Sequence, residues 1–99
     1  MKRLLLLLPL ILATPAVAES DPFGLNEHAF QTYRRHFENF DKFASADDWE
    51  MACSELRMAS TVLKTQFSQL QKARPSIDWF KSRQSDQEFL SKLCTPYGL

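Results

Sequence analysis

The chain has 99 residues, and its 12 basic and 12 acidic side chains give a formal net charge of zero. A basic patch or stripe, typical of nucleic-acid-binding proteins, is missing, so no nucleic acid is predicted as a partner. The length suffices for one small domain, in which two cysteines can form a single intramolecular disulfide.

Residues 1–18 have the three parts of a secretory signal peptide. A short basic start precedes an apolar run over residues 4–12, and the pattern Ala16-x-Ala18 predicts cleavage before Glu19. The rival interpretation, an uncleaved membrane anchor, would need about 20 apolar residues. Cleavage leaves 81 residues, 10 of them basic and 12 acidic. We therefore expect an exported protein, periplasmic or secreted, with no stable membrane anchor.

The two cysteines are Cys53 and Cys94. Export to an oxidising compartment predicts that they form a disulfide, whereas two free thiols would indicate a reducing compartment. The bond would close a loop of about 42 residues and stabilise the fold by roughly 4 kcal/mol in the chain-entropy model.

Residues 19–26 contain two turn-forming pairs and are predicted to form an irregular N-terminal arm. A first amphipathic helix should follow from Glu27 to Ala44, with Asn26 as its N-cap. Aromatic residues recur along one face of this helix at steps of three and four: Phe30, Tyr33, Phe37 and Phe40.

A second helix should begin at Trp49 and run to about Lys72, because Pro75 cannot continue a helix. The connection to the first helix is short, which makes the two helices antiparallel neighbours. Residues at helical spacing form its buried face: Trp49, Ala52, Cys53, Leu56, Ala59, Leu63, Phe67 and Leu70.

The pattern after Pro75 is less regular. The segment 85–88 has the sequence of a capping box, which predicts a fresh helix start. We therefore expect a short helix over 76–81, a joint near Ser85 and a last helix to about Cys94.

These elements predict an all-α fold, a small antiparallel three-helix (up-down-up) bundle with the third arm broken into two short helices. The helical domain would span residues 27–94, followed by a tail over 95–99. A second and third arm of similar length would bring Cys94 back beside Cys53, in agreement with the predicted disulfide.

Catalytic or cofactor chemistry finds little support in the pattern. No motif surrounds a serine, and the cysteines are assigned to the disulfide, so no enzyme activity is predicted. His28 and His36 lie about 12 Å apart along one helix, too far to bind the same ion. Haem binding would depend on His36 alone as the axial ligand. The prediction is no catalytic residue, no metal and no cofactor.

The back of the second helix carries an apolar strip. Met51, Met58 and Val62 lie opposite its buried face, where a bundle helix should be polar. Either the Trp79–Phe80 segment covers this strip, or the strip is exposed and binds another protein or a second copy of the chain. Charged residues would then form its rim: Glu55, Arg57 and Lys64.

The predicted function is therefore protein binding by a small exported, non-catalytic helical protein, as an accessory subunit, inhibitor or chaperone-like factor. The alternative is a carrier of a small molecule or cofactor, with a cavity between aromatic-rich helices. An absorbance band or a retained mass in the purified protein would favour the carrier.

Overall fold

The structure, a computed structural model, describes residues 21–97 of the chain. The predicted signal peptide and its cleavage position lie outside the described residues. The last two residues of the predicted tail also lie outside them, while Thr95–Tyr97 form a turn of 3₁₀ helix.

Helix α1 spans Leu25–Ser45. It begins earlier than predicted because the Asp21 carboxylate accepts hydrogen bonds from the amides of Asn26 and Glu27, both at 3.1 Å. Gly24 has a positive φ of 67°, a conformation that glycine adopts without strain and that turns the chain into the helix. The prediction that Asn26 caps this helix is wrong, since its amide is itself capped.

The second arm consists of two helices, α2 (Trp49–Thr65) and α3 (Phe67–Ala73). The Asp48 carboxylate caps α2 by accepting from the Met51 amide at 3.3 Å. The prediction of one helix to about Lys72 is wrong, because the backbone leaves helical geometry at Gln66.

Two threonines lie in the last turns of α2, just before this break. Thr61 and Thr65 donate their hydroxyl hydrogens to carbonyls four residues earlier, at 2.9 and 2.8 Å. Such hydrogen bonds compete with the helical amides and bend helices. Beyond the break, α3 packs against α1.

The third arm is one continuous helix, α4 (Trp79–Leu93), so the prediction of a joint near Ser85 is wrong. The helix is capped by Asp78, whose carboxylate accepts from the Lys81 amide at 3.1 Å. The segment 85–88 does not cap a helix, because the Asp86 carboxylate bonds to Tyr33 of α1 instead of a local amide.

The structure confirms an all-α helical bundle with a disulfide between Cys53 and Cys94, whose Cα atoms are 5.6 Å apart. Helix α2 lies at the centre and packs against both α1 and α4. The break predicted for the third arm is found in the second.

The core consists of two clusters, and the half-buried Phe37 packs against both. Buried residues of the first cluster lie toward the α3 end: Ala29, Tyr33, Ala59, Leu63, Leu70 and Trp79. Those of the second surround the disulfide: Phe40, Ala52, Cys53, Leu56, Leu90 and Cys94. Six of the eight residues predicted for the buried face of the second helix are fully buried, which confirms that face.

Candidate functional site

The predicted binding strip, here called the methionine surface, consists of Met51, Met58 and Val62 on α2. The Met51 and Met58 side chains are 43% and 46% exposed. Val62 is half-buried and packs against the first core cluster. The two methionines thus lie at the surface, and Val62 joins them to the core.

The Trp79–Phe80 segment packs away from the methionine surface. Trp79 is buried, with its ring centroid 5.5 Å from that of Tyr33. The Phe80 ring lies 4.9 Å from the Phe67 ring at the start of α3. The Trp79 ring thus packs against α1 and the Phe80 ring against α3, and neither ring covers the methionines.

A shallow groove of about 410 Å³ runs beside the methionine surface. Side chains of α1 and α2 line it: His36, Ser54, Arg57, Met58, Thr61 and Val62. Its lining contains both polar and apolar side chains, so it can offer a partner both hydrogen bonds and contact area.

Glu55 was predicted to lie on the rim of this surface, but it turns toward α1. Its Oε1 lies 2.8 Å from His36 Nδ1 and accepts from the Asn39 side-chain amide at 3.2 Å. Burial alone would raise the pKa of Glu55, yet these hydrogen bonds and the nearby charges of His36 and Arg35 lower it below its ordinary value. Glu55 therefore joins α1 to α2 and adds little to the rim.

A second groove lies between α1 and α4. No Cα atom of α1 comes within 8 Å of one in α4, although the structure describes both helices completely. The resulting groove, of about 290 Å³, is lined by aromatic, aliphatic and charged side chains: Phe30, Tyr33, Arg34, Phe37, Glu38, Asp41, Ile77, Trp79 and Ser82. It is open to solvent, unlike the pockets that enclose small molecules.

A buried polar pair crosses between α1 and α4 at this groove. The Tyr33 hydroxyl donates to Asp86 Oδ2 at 3.0 Å, and Asp86 is only 2% exposed. Burial raises the pKa of Asp86 to about 6, an effect that the Tyr33 hydrogen bond only partly opposes. Burial, the Asp86 charge and the same hydrogen bond raise the pKa of Tyr33 above its ordinary value of 10.

Sequence reasoning missed Asp86, although a signal was present. Asp86 lies seven residues after Trp79 and four before Leu90, on the same face of α4 as these two buried residues. A carboxylate on such a face needs a buried partner. The resemblance of segment 85–88 to a capping box favoured a local role for Asp86 and not a buried one.

Comparison of the chain with known protein families, characterised sequences and solved structures returned no match. Within residues 21–97, no helix has the length and apolar character needed to cross a membrane. The same residues contain no group of three or more His, Cys, Asp or Glu side chains placed to bind a metal ion.

Proposed function

We propose that the mature chain is an exported, non-catalytic protein that binds another protein through the methionine surface. The observation that carries this proposal is the exposure of Met51 and Met58 on the helix at the centre of the bundle. Methionine is flexible and polarizable, and it is frequent on surfaces that adapt to a partner.

The structure of the surrounding surface supports this proposal. The His36–Glu55 pair fixes the relative position of α1 and α2 beside Met58, so the groove has a defined shape before a partner binds. A preorganised surface loses less conformational entropy on binding. The disulfide is compatible with export, since such bonds persist in oxidising compartments.

The test is a pull-down from the exported fraction of the source, with oxidised mature protein as bait. A second bait carries Met51→Asp and Met58→Asp, which place two charges on the methionine surface. Because both side chains are at the surface, this bait should keep its helix content and lose at most about 1 kcal/mol of unfolding free energy. We expect the wild-type bait to capture a partner that the variant loses.

A matched control places the same two charges on other exposed apolar residues. Phe23, in the turn before α1, and Leu25, the first residue of α1, are 83% and 60% exposed. The Phe23→Asp, Leu25→Asp bait should capture the same partner as the wild type. Equal capture by all three baits would assign binding to another surface, and loss with both variants would show that the effect of the charges is not specific to the methionine surface. Marked unfolding of the methionine variant would show that these residues stabilise the fold.

A further inference from the structure

We infer that the groove between α1 and α4 binds a basic amphipathic helix of a partner protein. No residue lines both this groove and the groove beside the methionine surface. The inference therefore goes beyond the proposed function and does not depend on it.

The spacing of the helices provides the place for a further helix. Helix α2 packs closely against α1 and α4, but the backbones of α1 and α4 stay apart and meet only through side chains. The ring centroids of Trp79 lie 6.2 Å from Phe30 and 5.5 Å from Tyr33, and these contacts form the floor at one end. A helix laid above them would complete a four-helix arrangement.

Apolar side chains continue beyond the groove toward the disulfide end. The Phe40 and Phe89 ring centroids are 6.3 Å apart and link α1 to α4 about three helical turns from Phe30 and Trp79. Phe89 and Leu93 are partly exposed, at 43% and 37%, as is Ile77 at the other end, at 39%. The apolar surface is thus long, narrow and open on one side, a shape that suits an amphipathic helix better than a small molecule.

The charges along the groove favour a basic partner. Its lining contains one cation, Arg34, and two anions, Glu38 and Asp41. Arg34 Nε pairs with Glu38 Oε2 at 3.0 Å, and no ion pair among the described residues involves Asp41. The Asp41 carboxylate is therefore the uncompensated charge of this wall, where a lysine or arginine of a bound helix would pair with it.

Two synthetic peptides of about 18 residues, long enough for five helical turns, serve as probes. Both carry leucine along one helical face, and the remaining positions carry lysine in one peptide and glutamate in the other. Binding to oxidised mature protein is measured by fluorescence anisotropy, and the contact surface is mapped from amide chemical shifts. We expect the lysine peptide to bind about tenfold more tightly and to shift the amides of Asp41 and Ser82.

Two variants test the groove itself. Asp41→Lys should weaken binding of the lysine peptide about fivefold and strengthen that of the glutamate peptide, because rim charges contribute up to about 1 kcal/mol each. Ser82→Trp fills the groove and should weaken both peptides by at least about tenfold, since a blocked groove removes the apolar contacts. The controls are Glu50→Lys on α2 and Gln84→Trp on α4, both at exposed positions.

The inference is wrong if the two peptides bind equally or not at all. It is also wrong if Glu50→Lys weakens binding as much as Asp41→Lys, which would show a response to net charge only. A dimer that protects the Ser82 amide without peptide would assign the groove to a second copy and overturn the inference. If Ser82→Trp does not fold, the Asp41→Lys result decides, because Asp41 is exposed.

Discussion

The Tyr33 hydroxyl donates a hydrogen bond of 3.0 Å to the Asp86 carboxylate, joining α1 and α4, two helices whose Cα atoms nowhere come within 8 Å of each other. The two residues are 53 positions apart in the chain, and both are buried. Helices α1 and α4 have no close backbone approach, so this hydrogen bond and the neighbouring aromatic rings are the direct contacts between them. It also makes the stability of the fold depend on pH.

The Asp86→Asn variant should remove most of this pH dependence. The pKa of Asp86 is raised from 3.8 to about 6 in the folded state. The folded protein therefore holds this proton more tightly, and the resulting stabilisation is complete below about pH 4 and lost as the pH rises through 6. This shift corresponds to a change of up to about 3 kcal/mol in unfolding free energy, which asparagine cannot show because it does not titrate.

Urea unfolding of both proteins at pH 5 and pH 8 checks this prediction. The asparagine oxygen can still accept from Tyr33, so the variant should fold at both pH values. The wild-type protein should lose more unfolding free energy than the variant between pH 5 and pH 8. The difference between the two proteins should therefore shift in favour of the variant. A constant difference between the two proteins would show that Asp86 does not titrate in this range.

The Tyr33→Phe variant should be destabilised more at pH 8 than at pH 5. It keeps the ring contact with Trp79 but removes the hydroxyl that satisfies the buried carboxylate. An unsatisfied buried group costs about 1–3 kcal/mol, and the cost is larger when the group is charged. Thermal unfolding at the two pH values measures the effect, and a pH-independent loss would show that the hydroxyl stabilises the neutral and the charged carboxyl group of Asp86 equally.

The disulfide should supply a large part of the stability of this small domain. Cys53 and Cys94 are 41 positions apart, and both are fully buried. The Cys53→Ser, Cys94→Ser variant should lose about 4 kcal/mol of unfolding free energy, because the unfolded chain regains the entropy of an open loop. Chemical denaturation of the variant and of oxidised wild type gives this difference. A loss below about 1 kcal/mol would show that helix packing alone holds the fold.

The features that depend on helical periodicity could be predicted from the sequence. The buried face of α2 follows from apolar residues at steps of three and four, and the cysteine pairing follows from there being two cysteines. The buried face depends only on the spacing of residues along the chain, and the disulfide depends only on the number of cysteines. Neither prediction needs knowledge of tertiary contacts.

The features that depend on tertiary contacts could not be predicted. The break at Gln66 follows two threonine hydroxyls that donate to carbonyls four residues earlier, but such hydrogen bonds do not bend every helix and so do not predict a break. The local sequence predicts a cap at Asp86, because the partner of its carboxylate, Tyr33, is 53 positions away in the chain. The separation of α1 from α4, which creates the groove, depends on the combined volumes of many packed side chains. The spacing of apolar residues in the sequence does not reveal it.

Arg74 joins the α3–α4 turn to the start of α1 through its planar guanidinium group. Nη1 and Nη2 donate to the two carboxylate oxygens of Glu27 at 2.8 and 3.1 Å, and the guanidinium carbon lies 4.0 Å from the Phe30 ring centroid. The Arg74 carbonyl accepts from the Trp79 indole at 3.0 Å. The Arg74 side chain thus binds the first turn of α1, and the Arg74 backbone binds the buried Trp79.

The Arg74→Lys variant should therefore lose stability although its charge is unchanged. Lysine cannot form two parallel hydrogen bonds or stack flat on a ring, so we expect a loss of about 1 kcal/mol, kept small because the Arg74–Glu27 pair is partly exposed. The hydrogen bond from Arg74 is also the main reason that the pKa of Glu27 is lowered, so this pKa should rise toward its ordinary value in the variant. Urea unfolding and an NMR titration of Glu27 measure the two effects. The control is Arg83→Lys, at an exposed position of α4. An equal loss in both variants would show that the paired hydrogen bonds to Glu27 and the stacking on Phe30 contribute nothing to stability.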